Sequence, residues 1–400
     1  MKIGIDARVL MDKYYSGVSQ YTANLLSAIF SEDKQNNYKL FYNSYHNLTA
    51  KLSPWSNENS QLVAWRVPNK IFNYLLQKIF SYPKLDRVLG RVDLFWSPHF
   101  NFSSMSPSSP DFKKIITVHD LSFLRYPEFF SIRKNFWHRA LNVKKTLRSV
   151  DMIVAVSENT KNDLLELVGI EPEKIKVIYP GNNIIKREIG LEERAAFFRK
   201  HHLEEFISEG AKSIPFILYL GNIEPRKNIA GLIAAYEKFR ADDGKKENKF
   251  KNVKLLLAGG AGWKNRRIYS AWQKSPYKDD IKFLGYVSQT EKEILYGSAA
   301  IFAYPSYYEG FGFPPLEAIT YGVPVVCSNV SSLPEVVGEA AITVNPFEIA
   351  EIADAFKIIL SEEALRERLS SAGQERAKFF SWSKAAREYL ELFKKINEKE

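Results

Sequence analysis

Short apolar runs alternate with helical patterns along the whole chain. In the first half the runs fall at residues 3–5, 39–42, 93–96, 115–118 and 152–156; in the second they fall at 216–220, 253–258, 281–284, 300–303 and 323–326. Near-continuous hydrophobic strands separated by helices predict parallel sheets covered on both faces. A chain of 400 residues is too long for one ordinary core and suits two domains of roughly 150 to 200 residues each. The predicted fold class is therefore α/β, with two doubly wound, Rossmann-like parallel-sheet domains. Between residues 181 and 215 the strand pattern gives way to a charged, helix-prone stretch around 192–200, which reads as an interdomain connection. In such folds ligands bind outside the carboxyl ends of strands, so segments directly after strands carry the chemical interest.

Ser16 and Gly17 follow the first strand and open a helical pattern with Val18, Tyr21, Leu25 and Ile29 on one face. A glycine there lets backbone N–H groups approach an anion at a helix N-terminus, or simply permits a tight turn. His119 and Asp120 follow a buried strand; the histidine could bond a sugar hydroxyl with the aspartate orienting it, or the two could be a strand-end histidine and a helix-capping aspartate. Arg226 and Lys227 stand before a helix that begins near Ile229, where the helix dipole favours acids. An anionic ligand bridging them would resolve that conflict; the plainer alternative is a solvated surface pair. The most informative segment runs from Ala303 to Ala318, where Glu309 and Glu317 flank the turn Gly310, Phe311, Gly312, Phe313 and two prolines suited to a first helical turn. Such a loop offers backbone N–H groups to oxygens, and Glu317, within the first helical turn, can accept from vicinal hydroxyls such as those of a ribose.

Composition narrows the setting. The one cysteine, Cys327, lies in an apolar run, which excludes an internal disulfide framework and a cysteine metal site and suits a reducing cytoplasm. No D-x-D, H-E-x-x-H or Cys/His cluster marks a divalent metal, so no metal or cofactor is expected. Asp6 and Arg8 interrupt the start of the chain, and no apolar run approaches the ~18 residues of a spanning helix. The expected location is cytoplasmic, at most peripheral at the inner face of the cytoplasmic membrane. The formal net charge of +10 raises affinity for anions, whether nucleotides, nucleic acid or acidic lipid headgroups. No specific nucleic-acid partner is expected, because no recognisable binding motif accompanies the charge.

Gly17 with Tyr21, His119-Asp120, the stretch 221–228 ending in Arg226, Lys227 and Asn228, Gly259-Gly260, Gly285-Tyr286-Val287 and the stretch 309–317 together resemble the retaining GT-B glycosyltransferases of family four. The likeness continues through Pro324, Pro334-Glu335 and Trp382, covers nearly the whole chain, and is nearest the bacterial mannosyltransferase-like members that extend polysaccharides. It implies two Rossmann-like domains facing a cleft: residues 1–183 together with a final helix near 383–400 as the acceptor-binding domain, 184–213 as the connection, and 214–382 as the nucleotide-sugar domain. It also implies a hexose, favoured as mannose from GDP-mannose, moved to a saccharide or polyprenyl-diphosphate-linked acceptor in cell-surface polysaccharide synthesis. UDP-sugar donors, or a nucleotide-sugar epimerase or phosphorylase on the same fold, stay open. Arg226 and Lys227 would hold the donor diphosphate, Glu317 the ribose, and the backbone around Tyr286 and Val287 the base. Glu309 with Gly310, Phe311, Gly312 and Phe313 would contact the transferred sugar; His119 would reach that sugar and Gly17 the diphosphate. Many members carry Gly-Arg where this chain has Gly221-Asn222, so the cationic work falls on Arg226 and Lys227.

Residues 66–91 carry Arg66, Lys70, Lys78, Lys84, Arg87 and Arg91 against Asp86 alone, interleaved with apolar side chains, and residues 131–150 carry six Lys or Arg and no carboxylate. These segments either dock the protein on acidic lipids or form a solvated basic face over a core-facing stripe.

Overall fold

The computed structural model describes residues 1–11, 17–45, 48, 52–69, 71–207, 214–243 and 250–398. Ser16, Lys70, residues 208–213 of the expected connection and residues 399–400 lie outside them. The chain forms two compact units, residues 1–125, 132–181 and 380–400 in the first, and residues 126–131 and 182–379 in the second.

Unit 1 is built on a parallel sheet of seven strands among the described residues, ordered β3-β2-β1-β4-β5-β6-β7. These are β1 (Lys2–Asp6), β2 (Asn37–Asn43), β3 (Ser60–Trp65), β4 (Leu94–Ser97), β5 (Lys113–Val118), β6 (Met152–Ala155) and β7 (Ile175–Val177). β1 is central: Ile3 stands opposite Tyr38 on one side and Leu94 on the other. Its residues Ile3 and Ile5 are fully buried, as the continuous apolar pattern of a doubly covered strand requires. The apolar runs mark the interior strands; β3 and β7, the two sheet edges, are partly exposed and lack that signal.

The terminal helix Trp382–Asn397 belongs to this unit and is tied to it by a buried hydrogen-bond chain. Trp96 Nε1 donates to Thr117 Oγ1 at 2.9 Å, Thr117 Oγ1 pairs with Tyr389 OH at 2.7 Å, and Tyr389 OH pairs with Tyr21 OH at 2.8 Å. Each polar group of this chain thus finds a partner, which offsets the cost of burying it. The helix Gly17–Glu32 supplies Tyr21, so one network fastens both helices to β4 and β5.

Unit 2 has six parallel strands among the described residues, ordered β10-β9-β8-β11-β12-β13: β8 (Phe216–Leu220), β9 (Lys254–Ala258), β10 (Ile281–Gly285), β11 (Ile301–Tyr304), β12 (Val325–Ser328) and β13 (Ala341–Val344). The edge strand β13 again escapes the apolar pattern because it is half-exposed. Two expected boundaries shift. The stretch read as a connection is an integral part of unit 2: on the helix Leu191–Lys200, Phe198 stacks on Phe206 at 5.7 Å and both rings abut Phe216 of β8. Residues 126–131, placed by sequence in the first domain, also cluster with unit 2. Trp263 explains this, since its Nε1 donates to Phe129 O at 2.7 Å while its ring stacks on Phe130 at 5.8 Å.

Gly181 meets the start of the terminal helix so closely that a Cβ there would lie 2.2 Å from the backbone N of Trp382. Gly181→Ala is therefore expected to lower unit 1 stability by about 2–3 kcal/mol in urea unfolding. Gly190→Ala, where a Cβ meets nothing within 4 Å, should stay within about 0.5 kcal/mol of the parent.

Candidate functional site

In unit 2 the candidate side chains Arg226, Lys227 and Glu309 gather at the carboxyl ends of β8 and β11. β8 ends at Leu220, and the chain passes through the short turn Pro225–Lys227 into the helix Ile229–Asp243. β11 ends at Tyr304 and leads through Glu309 into the helix Phe313–Tyr321. A backbone bond from Tyr307 N to Arg226 O at 2.9 Å clamps the two loops together.

The side chains then form one buried ion cluster. Lys227 Nζ donates to Glu309 Oε1 at 2.6 Å and to Tyr304 OH at 2.8 Å. Arg226 NH1 donates to Glu309 Oε2 at 3.3 Å and to Tyr308 O at 2.8 Å, while Nε and NH2 reach Glu224 Oε1 at 3.4 and 3.3 Å. Burial alone would raise the pKa of Glu309, yet the charges of Lys227 and then Arg226 hold its carboxyl below the usual range. Burial drags Lys227 below the ordinary lysine value, with Glu309 opposing. The dipole conflict noted from sequence is thus met within the protein itself, by two carboxylates standing against the two cations. Among the described residues Lys227 engages Glu309 and Tyr304 with two of its three N–H donors.

The Gly-Phe-Gly loop is held from the side. Glu309 N donates to Ser331 Oγ at 3.0 Å, and Ser332 Oγ donates to Glu309 O at 3.0 Å and to Phe311 O at 2.7 Å. Gly312 has φ near +115°, and a Cβ there would approach Leu333 to 2.7 Å, so glycine is needed both for backbone and for space. The helix begins at Phe313 with prolines in its first turn, as the spacing predicts. Glu317 consequently falls beyond the first turn, a correction to the sequence placement, and its side chain is almost fully buried. Lys292 Nζ spans both its oxygens at 2.9 and 2.8 Å, and Tyr296 OH donates at 3.0 Å. Tyr286 is exposed and Val287 buried just after β10.

In unit 1, His119 follows β5 and its Nε2 stands 2.8 Å from the carbonyl of Pro98. Tyr21 meets the His119 ring edge-on at 4.7 Å. Asp120 accepts from the N–H and hydroxyl of Ser122 at 3.0 and 2.6 Å, the capping arrangement that sequence left as one alternative. Burial lowers the pKa of His119 and so favours neutral imidazole, with the Pro98 bond opposing. Gly17 is the first residue of its helix, and a Cβ there would meet nothing within 4 Å, so packing does not demand a glycine. Beside this edge lies a buried ion pair absent from the predicted site: Arg8 NH2 bonds Asp6 Oδ2 at 2.6 Å and Ser103 Oγ at 2.6 Å.

The structure thus brings Arg226, Lys227 and Glu309 together, and adds Glu224, Tyr304 and Lys292, which the sequence did not single out. Glu224 carried a usable signal, an acid two positions before the first cation. Lys292 carried none, because only the packing of the helix Gln289–Tyr296 against Phe313–Tyr321 brings it to Glu317. Among the described residues no group of three or more His, Cys, Asp and Glu could hold a metal ion.

The model of the glycosyl transferases group 1 matches residues 203–376, and that of glycosyltransferase family 4 matches residues 39–184. O-antigen chain mannosyltransferase B of Escherichia coli is 30% identical over 295 residues, 70% of this chain and 70% of that protein. The serotype-specific mannosyltransferase WbdA of Escherichia coli is 26% identical over 293 residues, 73% of this chain, and the match spans only 35% of WbdA's length. Sucrose-phosphate synthase from Thermosynechococcus elongatus shares the fold, with a TM-score of 0.72 at 19% identity over 99% of each chain.

Removing one partner from the buried pair leaves an uncompensated charge, so Lys227→Met and Glu309→Gln should each destabilise unit 2 by about 3–5 kcal/mol in urea titrations. The double variant should cost clearly less than their sum. In unit 1, burial pushes His99 and His138 each down to about 4. The unfolded chain then binds more protons than the folded one below pH ~6.5, so stability present at neutral pH is lost on acidification toward pH 4. His99 alone should lower unit 1 stability by about 2 kcal/mol between pH 7 and 5, and His99→Gln should flatten that profile.

Proposed function

We propose, from the premise that this chain belongs to the glycosyl transferases group 1 and family 4 glycosyltransferases, that it moves mannose from GDP-mannose to a saccharide acceptor. The mannosyltransferase relatives support that sugar, and the O-antigen relative among them supports a surface-polysaccharide product. A glycan carried on a polyprenyl diphosphate is the acceptor we favour. The observation that carries the donor side is the convergence of Arg226 and Lys227 on Glu309 at the end of β8.

The reaction expels a nucleoside diphosphate, whose charge grows as the glycosidic bond breaks. Arg226 and Lys227 are held by carboxylates before the donor arrives, so little reorganisation is needed when that charge develops. A well-placed donor of this kind is worth about 3–4 kcal/mol by analogy with oxyanion holes. Lys227's third N–H is assigned to a phosphate oxygen. Glu317, fixed by Lys292 and Tyr296, is assigned to the ribose hydroxyls, and the backbone at Tyr286 and Val287 to the base. Glu309 and the loop from Gly310 to Phe313 are assigned to the transferred sugar. In unit 1, His119 in neutral form is assigned to a sugar hydroxyl and Gly17 to a phosphate oxygen.

The configuration at the transferred carbon is retained in this account. Glu309 is already engaged by two cations, which suits positioning and charge stabilisation better than covalent attack. The acceptor hydroxyl then attacks the face that the leaving phosphate departs from, and a phosphate oxygen takes its proton. Stabilisation of the leaving group is assigned to these two cations, without a divalent metal.

Incubation with GDP-mannose and a lipid-linked glycan should release GDP and yield a product with the donor's anomeric configuration by NMR, unchanged by EDTA. Arg226→Ala should lower kcat about 10²-fold or more. Transfer only from UDP-hexoses would reassign the base, whereas free sugar or dependence on inorganic phosphate would replace the transferase account with an epimerase or phosphorylase.

A further inference from the structure

Of the four charges clustered after β8, those of Glu224, Arg226, Lys227 and Glu309, the carboxylate of Glu224 is the least well satisfied. The residue is 2% exposed, and its Oε2, out of reach of water, has no hydrogen-bond partner among the described residues. Its Oε1 alone takes both Arg226 Nε at 3.4 Å and Arg226 NH2 at 3.3 Å. An arginine fork normally meets both oxygens of a carboxylate or phosphate, in parallel contacts of about 2.7–2.9 Å. Here two N–H groups converge on one oxygen at longer distances, and the second oxygen is bare. A buried carboxylate oxygen without a partner is costly, so this pair is half-made.

The surrounding backbone holds it that way. Ile223 N donates to Gly260 O at 2.9 Å and Gly262 N donates to Ile223 O at 3.1 Å, which binds the chain before Glu224 to the loop after β9. A Cβ at Gly262 would lie 3.0 Å from Glu224 Cβ, so Glu224 sits hard against that loop. Lys227 differs: its contacts to Glu309 and Tyr304 are short, at 2.6 and 2.8 Å. Arg226 has one short contact, from NH1 to Tyr308 O at 2.8 Å, away from its Nε–NH2 edge. The guanidinium can therefore stay anchored at NH1 while that edge changes partner.

We infer that Glu224 is a placeholder for the diphosphate. It occupies the Nε–NH2 edge of Arg226 in the free protein, yields that edge to a phosphate when a nucleoside diphosphate binds, and competes for it again when the product leaves. A phosphate brings two oxygens to an edge where Glu224 brings one, so the exchange gains a contact. The Glu224 charge left beside the incoming anion takes back part of that gain. Glu224 is thus a positioning residue that presents Arg226 in advance and keeps diphosphate binding weak enough for release. The inference rests on the diphosphate role proposed for Arg226, but not on the base or the sugar.

Titration calorimetry of wild type and Glu224→Gln with GDP and with UDP tests it, because the sign of the change is diagnostic. Removing a merely structural counter-ion would lower stability and affinity together, whereas neutralising a placeholder lowers stability and raises affinity. Glu224→Gln should bind whichever diphosphate wild type binds roughly tenfold or more tightly, with a lower donor KM and stronger product inhibition. In a variant of reduced stability, the rise in melting temperature with added diphosphate reads the same affinity. The gain should be much smaller when Arg226 is already alanine; a gain of equal size there would show plain charge repulsion and overturn the exchange. Unchanged or weaker binding by Glu224→Gln, with wild type binding, would overturn the inference and leave the role of Arg226 standing. Wild type binding neither diphosphate would overturn both.

Discussion

The pairing of Lys227 with Glu309 is the constraint on which the candidate site rests. Each group is almost out of water, and a buried charge is tolerated only when paired and hydrogen-bonded. That requirement fixes the distance between the turn after β8 and the loop after β11, which the backbone bond from Tyr307 to Arg226 then locks. Ser331 and Ser332 hold the Glu309 loop from its other side. Two carboxylates, Glu224 and Glu309, face two cations, Arg226 and Lys227, in one enclosed group. Such an arrangement contributes little to net stability compared with an apolar core of similar shape. In the proposed reaction its use is to hold cations at strand ends, oriented in advance for an anionic leaving group.

Unit 1 solves a related problem with neutral groups. Trp96, Thr117, Tyr389 and Tyr21 satisfy one another in a buried chain, and Tyr21 presents its edge to His119. The last helix of the chain thereby supports the residue that follows β5. Burial raises the pKa of Tyr389 and Tyr21 well above the ordinary tyrosine value, so the chain stays protonated and keeps its hydrogen bonds at any ordinary pH.

Much of this was legible in the sequence where burial is one-dimensional. Interior strands such as β1 and β8 are apolar throughout, so their runs stand out and the motifs after them fall at strand ends. Edge strands β3, β7 and β13 show one covered face at most, and their residues merge with loop composition. The charged stretch around 192–200 hides Ala195, Phe197 and Phe198 on a buried face, so charge suggested a linker where packing made a helix of unit 2. Arg226, Lys227 and Glu309 were readable because each lies beside a strand end. Lys292 was not, since its meeting with Glu317 depends on how two helices pack. Glu317 itself was placed one turn too early because the helix begins at Phe313.

The central claim is that Arg226 and Lys227 bind the diphosphate of a nucleotide donor. Calorimetric titration of wild type, Arg226→Ala and Lys227→Ala with GDP and with guanosine tests it most directly. The account predicts that wild type binds GDP far more tightly than guanosine, and that each substitution erases roughly tenfold or more of that difference while leaving guanosine affinity in place. Equal preference for GDP in the variants, or a matching loss for guanosine, would contradict it.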